Sequence, residues 1–329
     1  MINTNMTNNQ DSLNNVILEM EKKYGKGSAV FLGAKSNNSV ESVSTGIPSL
    51  DNIIGVKGYP KGRIVEIYGP ESSGKTTIAL HAVTQAQKED KVVAYIDLEN
   101  ALDPKYAQAI GVDLQNMIIA QPNSGEQALD IVEHLVKNNQ VDLVIIDSVA
   151  ALVPVVELES NMEDQQMGAQ ARLMSRGLRK INAALANSKT IVIFINQLRD
   201  KIGIMFGNPE VTSGGKALKY YSSLRIDVRK DKSIKDVELV TGNYIKAKIV
   251  KNKVGIPFLS TTLRVNYGEG VDILEDIINE AVTKKILVKK GSWFSYMDKN
   301  IAQGIDRLKE YLNNDQEFKN KINQEIKCD

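Results

Sequence analysis

Gly69-Pro70-Glu71-Ser72-Ser73-Gly74-Lys75-Thr76-Thr77 fits the phosphate-loop pattern G-x-x-x-x-G-K-[ST] in full. The apolar run Arg63-Ile64-Val65-Glu66-Ile67-Tyr68 before it reads as a strand, and Thr76 to Glu89 after it reads as a helix, so the motif has the context its chemistry needs. Gly69 and Gly74 let the backbone curl so that successive N–H groups point inward. The positive end of the helix faces the same point, Lys75 reaches the β and γ oxygens of a phosphate chain, and Thr76 Oγ is placed to ligate Mg²⁺. Nucleoside triphosphate binding follows.

Outward from this loop the chain alternates strands and helices. Strand Val92–Asp97, helix Pro104–Ile110, strand Met117–Gln121, helix Gly125–Asn138, strand Leu143–Asp147, helix Gly168–Asn187 and strand Thr190–Asn196 succeed one another. Near-continuous apolar strands in such a series predict a mostly parallel sheet covered on both faces, with ligands at the carboxyl ends of the strands. Runs Leu224–Arg229, Tyr244–Lys251 and Thr261–Tyr267 read as strands that extend the sheet in antiparallel fashion. From Asp272 the pattern turns to helices, Asp272–Ile286 and Ile301–Leu312, with a boundary near Gly270 and a charged end.

Three strand ends carry chemistry. Asp147 closes Leu143-Val144-Ile145-Ile146-Asp147 and suits a second magnesium-coordinating element. Glu99 follows the strand ending at Asp97, where a water attacking a γ-phosphate would sit; its bland alternative is a helix cap or a surface carboxylate. Asn196-Gln197 ends a third strand, where an amide can sense the γ-phosphate and pass its position to the next loop.

That loop, Leu198 to Leu218, sets Arg199, Lys201 and Lys216, with Lys219 just past its end, beside Ile202, Ile204, Met205 and Phe206 among Gly203, Gly207, Gly214 and Gly215. Basic residues interleaved with apolar ones and glycines fit a segment that neutralises phosphates and wedges between bases; a substrate lid is the other reading. A second candidate loop, Val153 to Met167, carries Glu157, Glu159, Glu163 and Asp164, so any DNA contact there falls to its backbone or to Met167. In the next helix Met174, Leu178, Ile181 and Leu185 share one face, and Arg172, Arg176 and Arg179 form a stripe on the other, an anion-binding candidate as well as an ordinary charged surface.

The 41 basic and 40 acidic residues cancel, so a nucleic-acid surface must be a local patch. The single cysteine, Cys328, can build neither an intrachain disulfide nor a four-cysteine zinc site. His81 and His134 stand alone and read as packing or surface residues. No apolar run of about 18 residues and no signal-peptide pattern appears, which makes the cytoplasm the expected compartment and excludes a membrane partner. Residues Met1 to Ser12 are polar and are expected to fray. Leu13, Ile17, Met20 and Tyr24 then make one helical stripe, ended by Gly25 and Gly27, that packs on its own core or on a neighbouring subunit.

With these motifs the chain closely resembles the bacterial RecA recombinase family, from Leu13 to at least Tyr311. Besides the phosphate loop, the resemblance rests on Gly25-Lys26-Gly27-Ser28, Ile96-Asp97 with Glu99, and Ala101-Leu102-Asp103-Pro104. It rests equally on Ile146-Asp147-Ser148-Val149-Ala150-Ala151-Leu152, Asn196-Gln197, Met205-Phe206-Gly207-Asn208-Pro209-Glu210, Gly214-Gly215, Ala217-Leu218-Lys219 and Val250-Lys251-Asn252-Lys253.

The resemblance implies an α/β fold: a RecA-type phosphate-loop ATPase core with a mostly parallel central sheet, an N-terminal oligomerisation helix and a small C-terminal α+β domain. The divisions are 1–35, 36–270 and 271–329. It implies ATP and Mg²⁺ as ligands, Glu99 as the residue that activates water, Gln197 as γ-phosphate sensor, and Asp103, Tyr106 and Tyr267 around the nucleotide. Lys251 and Lys253 match lysines that reach the nucleotide of the adjacent subunit.

The loops at 153–167 and 198–218 match the family's DNA-binding loops, with Met167 and Ile202 at the positions that insert at base steps. Arg172, Arg176, Arg179, Arg199, Gly214 and Gly215 join them as candidate DNA contacts. The implied function is a DNA-dependent ATPase that forms filaments on single-stranded DNA, pairs it with homologous duplex DNA and exchanges strands. The family also implies stimulation of a repressor protein's self-cleavage in the DNA-damage response.

Asn100 and Gln166 stand where the family often has histidine, and Asp315–Asp329 mixes lysines with acids where many members are strongly acidic. Rival readings are a ring helicase, a branch-processing ATPase, whose usual four-cysteine zinc element this chain cannot build, and a signalling ATPase that binds no DNA.

Overall fold

The computed structural model describes residues 3–25, 27–31, 40–161, 163–164, 166–200, 210–237 and 239–328. Met1–Glu41 and Ser42–Asp329 form two compact units. In the first, helix α1 runs Asn3–Tyr24. The polar leader expected to fray is therefore helical from Asn3, because neither glycine nor proline occurs before Gly25 to stop propagation. Gly25, with φ +98°, ends it as expected. Of the stripe, Leu13, Met20 and Tyr24 are exposed and Ile17 is half-buried.

The second unit opens with β1 (Ser42–Val43), α2 (Pro48–Ile54), β2 (Tyr59–Pro60), β3 (Ile64–Gly69) and α3 (Lys75–Lys88). The βα series follows as β4 (Val93–Asp97), α4 (Pro104–Ile110), β5 (Met117–Ala120), α5 (Gly125–Asn138) and β6 (Leu143–Asp147). After a 3-10 turn at Val149–Ala151 come α6 (Val155–Leu158), α7 (Ala169–Leu185), β7 (Ile191–Asp200), β8 (Glu210–Thr212) and α8 (Ala217–Tyr221). Four further strands complete the large sheet: β9 (Leu224–Asp236), β10 (Leu239–Asn252), β11 (Ser260–Asn266) and β12 (Gly270–Val271).

Among the described residues the sheet order is β12-β11-β10-β9-β3-β7-β6-β4-β5, with β8 on β7. All pairings from β9 through β3, β7, β6 and β4 to β5 are parallel. β9 departs from the antiparallel expectation, since it lies parallel to β3 with Glu66 opposite Arg225; β10, β11 and β12 add on beyond it in antiparallel fashion, as β8 does on β7.

Side-chain alternation feeds two cores, one on each face. Leu143 and Ile145 of β6 join Val65, Ile67 and the α3 residues Ile78, Leu80 and Val83, while Val144 and Ile146 join Leu129 and Val132 of α5 and Leu178 and Ile181 of α7. Each such side chain, removed from water, contributes about 1.5–3 kcal/mol.

The chain closes with α9 (Ile273–Thr283), β13 (Val288–Lys290), β14 (Trp293–Tyr296), β15 (Lys299–Gln303), α10 (Ile305–Asn314) and α11 (Gln316–Cys328). Two sequence expectations change here. Residues 299–303 pair with β14 as a strand, with Ala302 buried, so the helix expected from Ile301 starts at Ile305, after Gly304. The charged end is a helix, α11, because Ile322 and Ile326 recur four apart and bury against Leu308 and Leu312. This segment has a core of its own, and Asp276 on α9 accepts hydrogen bonds from Ser49 N (2.9 Å) and Ser49 Oγ on α2.

Candidate active site

The carboxyl ends of β3, β4, β6 and β7 lie side by side, and the phosphate loop follows β3 directly. Two glycines shape that loop. A Cβ on Gly69 would come 2.0 Å from the Val228 carbonyl of β9, and Gly74, the residue before α3, has φ +91°, in the left-handed region. Lys75 is buried and its Nζ donates to the Pro70 carbonyl at 2.6 Å. Burial pushes its pKa down, with Asp147, Glu71 and Glu99 opposing. Ser73 Oγ is buried without a protein partner, an orphan polar atom beside curled N–H groups, which fits an anion's oxygen there.

Asp147 Oδ2 accepts from Thr76 Oγ1 at 2.9 Å and from Tyr95 OH at 2.7 Å. Burial raises its pKa, and the two hydrogen bonds offset part of that rise. Asp97 accepts from the Ala101 and Leu102 N–H groups (3.2 and 3.4 Å) and thereby fixes the turn that carries Glu99. Glu99 Oε1 accepts from Ser148 Oγ and, at 3.3 Å, from Gln197 Nε2. Lys75, Thr76, Asp97, Glu99, Asp147 and Gln197 thus line one cavity of about 280 Å³.

A second cavity, of about 230 Å³, is lined by Ser72 to Thr77, Tyr106, Asn243, Ile245, Val265 and Tyr267. Tyr106 OH bonds Thr77 Oγ1 at 2.7 Å, and Tyr267 OH accepts from Asn243 Nδ2 at 2.7 Å. Asn243 Oδ1 is buried and unpartnered.

Several expected residues sit elsewhere. Asp103 caps α4 through Lys105 N (2.8 Å) and lines neither cavity. Lys251 Nζ donates to the carbonyls of Lys219 (2.7 Å) and Tyr220 (3.0 Å) at the end of α8, and burial followed by Lys253 lowers its pKa. Lys253 lines a separate cavity with Lys61, Arg63 and Tyr221.

The loop after Gln197 begins later than the sequence predicts. β7 continues to Asp200 and pairs with β8, Leu198 opposite Thr212 and Arg199 opposite Val211, because the two stems satisfy each other's backbone groups. Arg199 Nε donates to Ser213 Oγ at 3.1 Å, and Gly214 N to Gln170 Oε1 at 3.2 Å; Gly214 is buried and Gly215 exposed. Lys201 and Ile202 lie outside the described residues.

Met167 is 80% exposed. Arg172, Arg176 and Arg179 are exposed on α7; Arg172 donates to the Met167 carbonyl at 3.1 Å and Arg179 to the Ser175 carbonyl at 3.2 Å. The arginine stripe has acidic company that its own helix does not reveal: α5 brings Glu126 and Asp130 into one cavity with Arg172 and Arg176.

Sequence reasoning passed over Tyr95, Ser148 and Asn243 as site residues. Tyr95 had a signal, since it alternates with Asp97 on one face of β4; Asn243 had none, because it reaches the site through β10, a strand far beyond the loop in the chain.

A phosphate loop at the carboxyl edge of a parallel sheet, with a hydroxyl–carboxylate pair and a carboxylate beside it, defines a nucleoside-triphosphate-binding α/β protein. The RecA N-terminal domain family matches residues 11–272 and the RecA C-terminal domain family residues 275–329. The chain belongs to the RecA recombinase family. It is 53% identical over 303 residues to Protein RecA of Mycoplasma mobile, covering 92% of each chain. With Protein RecA of Chlorobaculum parvum it shares 52% over 316 residues (96% of this chain, 91% of the other), and with that of Staphylococcus aureus strain JH9 48% over 318 (97% and 92%). Membership implies an ATP-dependent, nucleotide-binding enzyme, with DNA binding and filament formation. Among the described residues no helix is long and apolar enough to cross a membrane.

Proposed function

We propose that this chain is an ATP-dependent DNA recombinase that polymerises on single-stranded DNA, pairs it with homologous duplex DNA and exchanges strands while hydrolysing ATP to ADP and phosphate. One observation carries the reading: Gln197 Nε2 bonds Glu99 in the phosphate-loop cavity, and its own backbone leads into the stem of the 198–218 loop. In the mechanism, the loop N–H groups of residues 71–77 and the Lys75 ammonium hold the β and γ phosphates. Thr76 Oγ1 and Asp147 would hold magnesium, which supplies charge neutralisation on the transferring phosphate. Their hydroxyl and carboxylate already meet at 2.9 Å, a donor set that suits a hard cation.

Glu99 takes the proton of the attacking water, oriented by Ser148 and Gln197. Tyr106 and Tyr267 flank the base, Asp103 caps the helix that carries Tyr106, and Asn243 Oδ1 accepts from an amino group such as adenine carries. Lys251 and Lys253, which line neither cavity of their own chain, serve the nucleotide of the adjacent subunit. Met167, Ile202, Arg199 and the α7 arginines, with Gly214 and Gly215 shaping the loop, contact DNA. Helix α1 docks on the neighbouring subunit through its exposed Leu13, Met20 and Tyr24.

On this reading the divisions at 35 and 270 separate docking helix, ATPase core and C-terminal domain. The compartment is the cytoplasm, and the filament also stimulates self-cleavage of a repressor protein. Electron microscopy with single-stranded DNA and a slowly hydrolysed ATP analogue tests the reading: helical filaments are expected. Rings would point to a helicase, and neither to a signalling ATPase.

A further inference from the structure

Glu66 lies in the middle of β3, fully buried, with Arg225 of β9 almost as deeply buried beside it. Arg225 Nε donates to Glu66 Oε2 in an ion pair, and its guanidinium lies 4.5 Å from the Tyr68 ring centre. A buried charge pair between strands whose other neighbours at this position are Val65, Ile67 and Ile226 is costly to desolvate, and the same volume filled with apolar side chains is commonly as stable. Its other carboxylate oxygen shows what it does. Glu66 Oε1 accepts from Asn196 Nδ2 at 2.9 Å, and Asn196 is fully buried.

An asparagine amide has one acceptor end and one donor end, and its neighbours decide which way it points. A carboxylate only accepts, so Glu66 fixes Nδ2 toward itself. That orientation lets Nδ2 donate a second time to the Ser213 carbonyl (3.1 Å) and presents Oδ1 to Gln197 N–H (2.9 Å). Gln197 O in turn accepts from Ser213 N at 3.3 Å. Asn196 thus joins both stems of the 198–218 loop at the residue that contacts Glu99.

We infer that Glu66 is a positioning residue for the coupling between nucleotide and DNA: it sets the orientation of the Asn196 amide, and through it the register of the two loop stems on Gln197. This rests on the recombinase reading above. Glu66 lines neither nucleotide cavity, so its effect reaches the ligands only through Asn196. A glutamine at 66 faces two donors, Arg225 Nε–H and Asn196 Nδ2–H, and can accept from only one without setting donor against donor. If Asn196 turns over to relieve this, its Nδ2 meets Gln197 N–H and the clamp opens.

The test measures single-stranded DNA affinity with and without a slowly hydrolysed ATP analogue, for the parent chain, Glu66→Gln, Asn196→Ala and the double variant. Couplings of this kind are commonly about 5- to 150-fold. Each single variant should bring the analogue-dependent gain to within about threefold of none, with analogue affinity in the absence of DNA kept, and the double variant should be no worse than either single one. Asn196→Ala leaves the Glu66–Arg225 pair intact and decides the matter alone if Glu66→Gln does not melt cooperatively. Full gain in Asn196→Ala, or effects that add in the double variant, overturns the inference. A parent chain with no analogue-dependent gain would instead sink the recombinase reading on which the inference stands.

Discussion

Replacing Glu99 by glutamine separates the chemical step from binding, and the geometry says by how much. Both protein donors to Glu99, Ser148 Oγ and Gln197 Nε2, fall on the same oxygen, Oε1. An amide oxygen at that position keeps both hydrogen bonds, and the NH₂ group takes the place of Oε2. Glu99 is exposed, so the change in stability should stay within about 0.5 kcal/mol. What disappears is the capacity to accept a proton. Loss of a positioned general base removes about 10²- to 10⁴-fold in rate, which is about 3–5 kcal/mol of barrier. The barrier term therefore exceeds the ground-state term several-fold, and kcat should fall with KM for ATP nearly unchanged. The assay is steady-state ATP hydrolysis with saturating single-stranded DNA, beside equilibrium binding of ATP and DNA. Hydrolysis near the parent rate with intact binding would refute the assignment and leave Glu99 a structural carboxylate.

Lys75→Ala removes a charge-assisted contact of about 1.5–3 kcal/mol, so nucleotide affinity should drop about tenfold or more and nucleotide-dependent DNA binding should vanish; filaments with unchanged ATP dependence would contradict this. Arg199→Ala should lower DNA affinity and flatten its log–log salt dependence by about one unit, measured across a salt series; an unchanged slope removes Arg199 from the phosphate contacts. Asp276 gives a pH signature, because burial raises its carboxyl from 3.8 to about 6. With the folded value above the unfolded one, its contribution is fully present below pH 3.8 and is lost as pH rises through 6. Asp276→Asn keeps an acceptor for Ser49 N and does not ionise, so relative to the parent it should gain about 3 kcal/mol between pH 4 and 7 in denaturant melts. A pH-independent difference would show that Asp276 does not titrate in this window.

The βα core was legible because its signals are local. Strand, loop and helix around Lys75 follow from glycines and an apolar run, and the parallel strands from runs such as Leu143–Ile146 that are buried on both faces. The small sheet of β13 to β15 was not, since Lys299-Asn300-Ile301-Ala302-Gln303 buries one residue deeply and shares its composition with a helix start. The phosphate side of the site could be assembled from strand ends, with Tyr95 alternating with Asp97 on β4, whereas Ser148 meets Glu99 and Asn243 meets the phosphate loop by register and crossing, which periodicity within one segment does not encode. The arginine stripe on α7 shows the same limit from the other side: its charge was readable, but Glu126 and Asp130 come from a different helix.

The ammonium of Lys251 bonds two carbonyls at the end of α8. Under the proposed function it must leave both to reach a neighbour's phosphates, so adding a subunit is an exchange in which bonds within one chain are given up for bonds between chains. The net contribution of Lys251 to each addition is then a small difference between comparable quantities. On that reading Lys251 adds little to the strength of the junction but ties it to the nucleotide, because losing its phosphate contact returns the lysine to its own helix end.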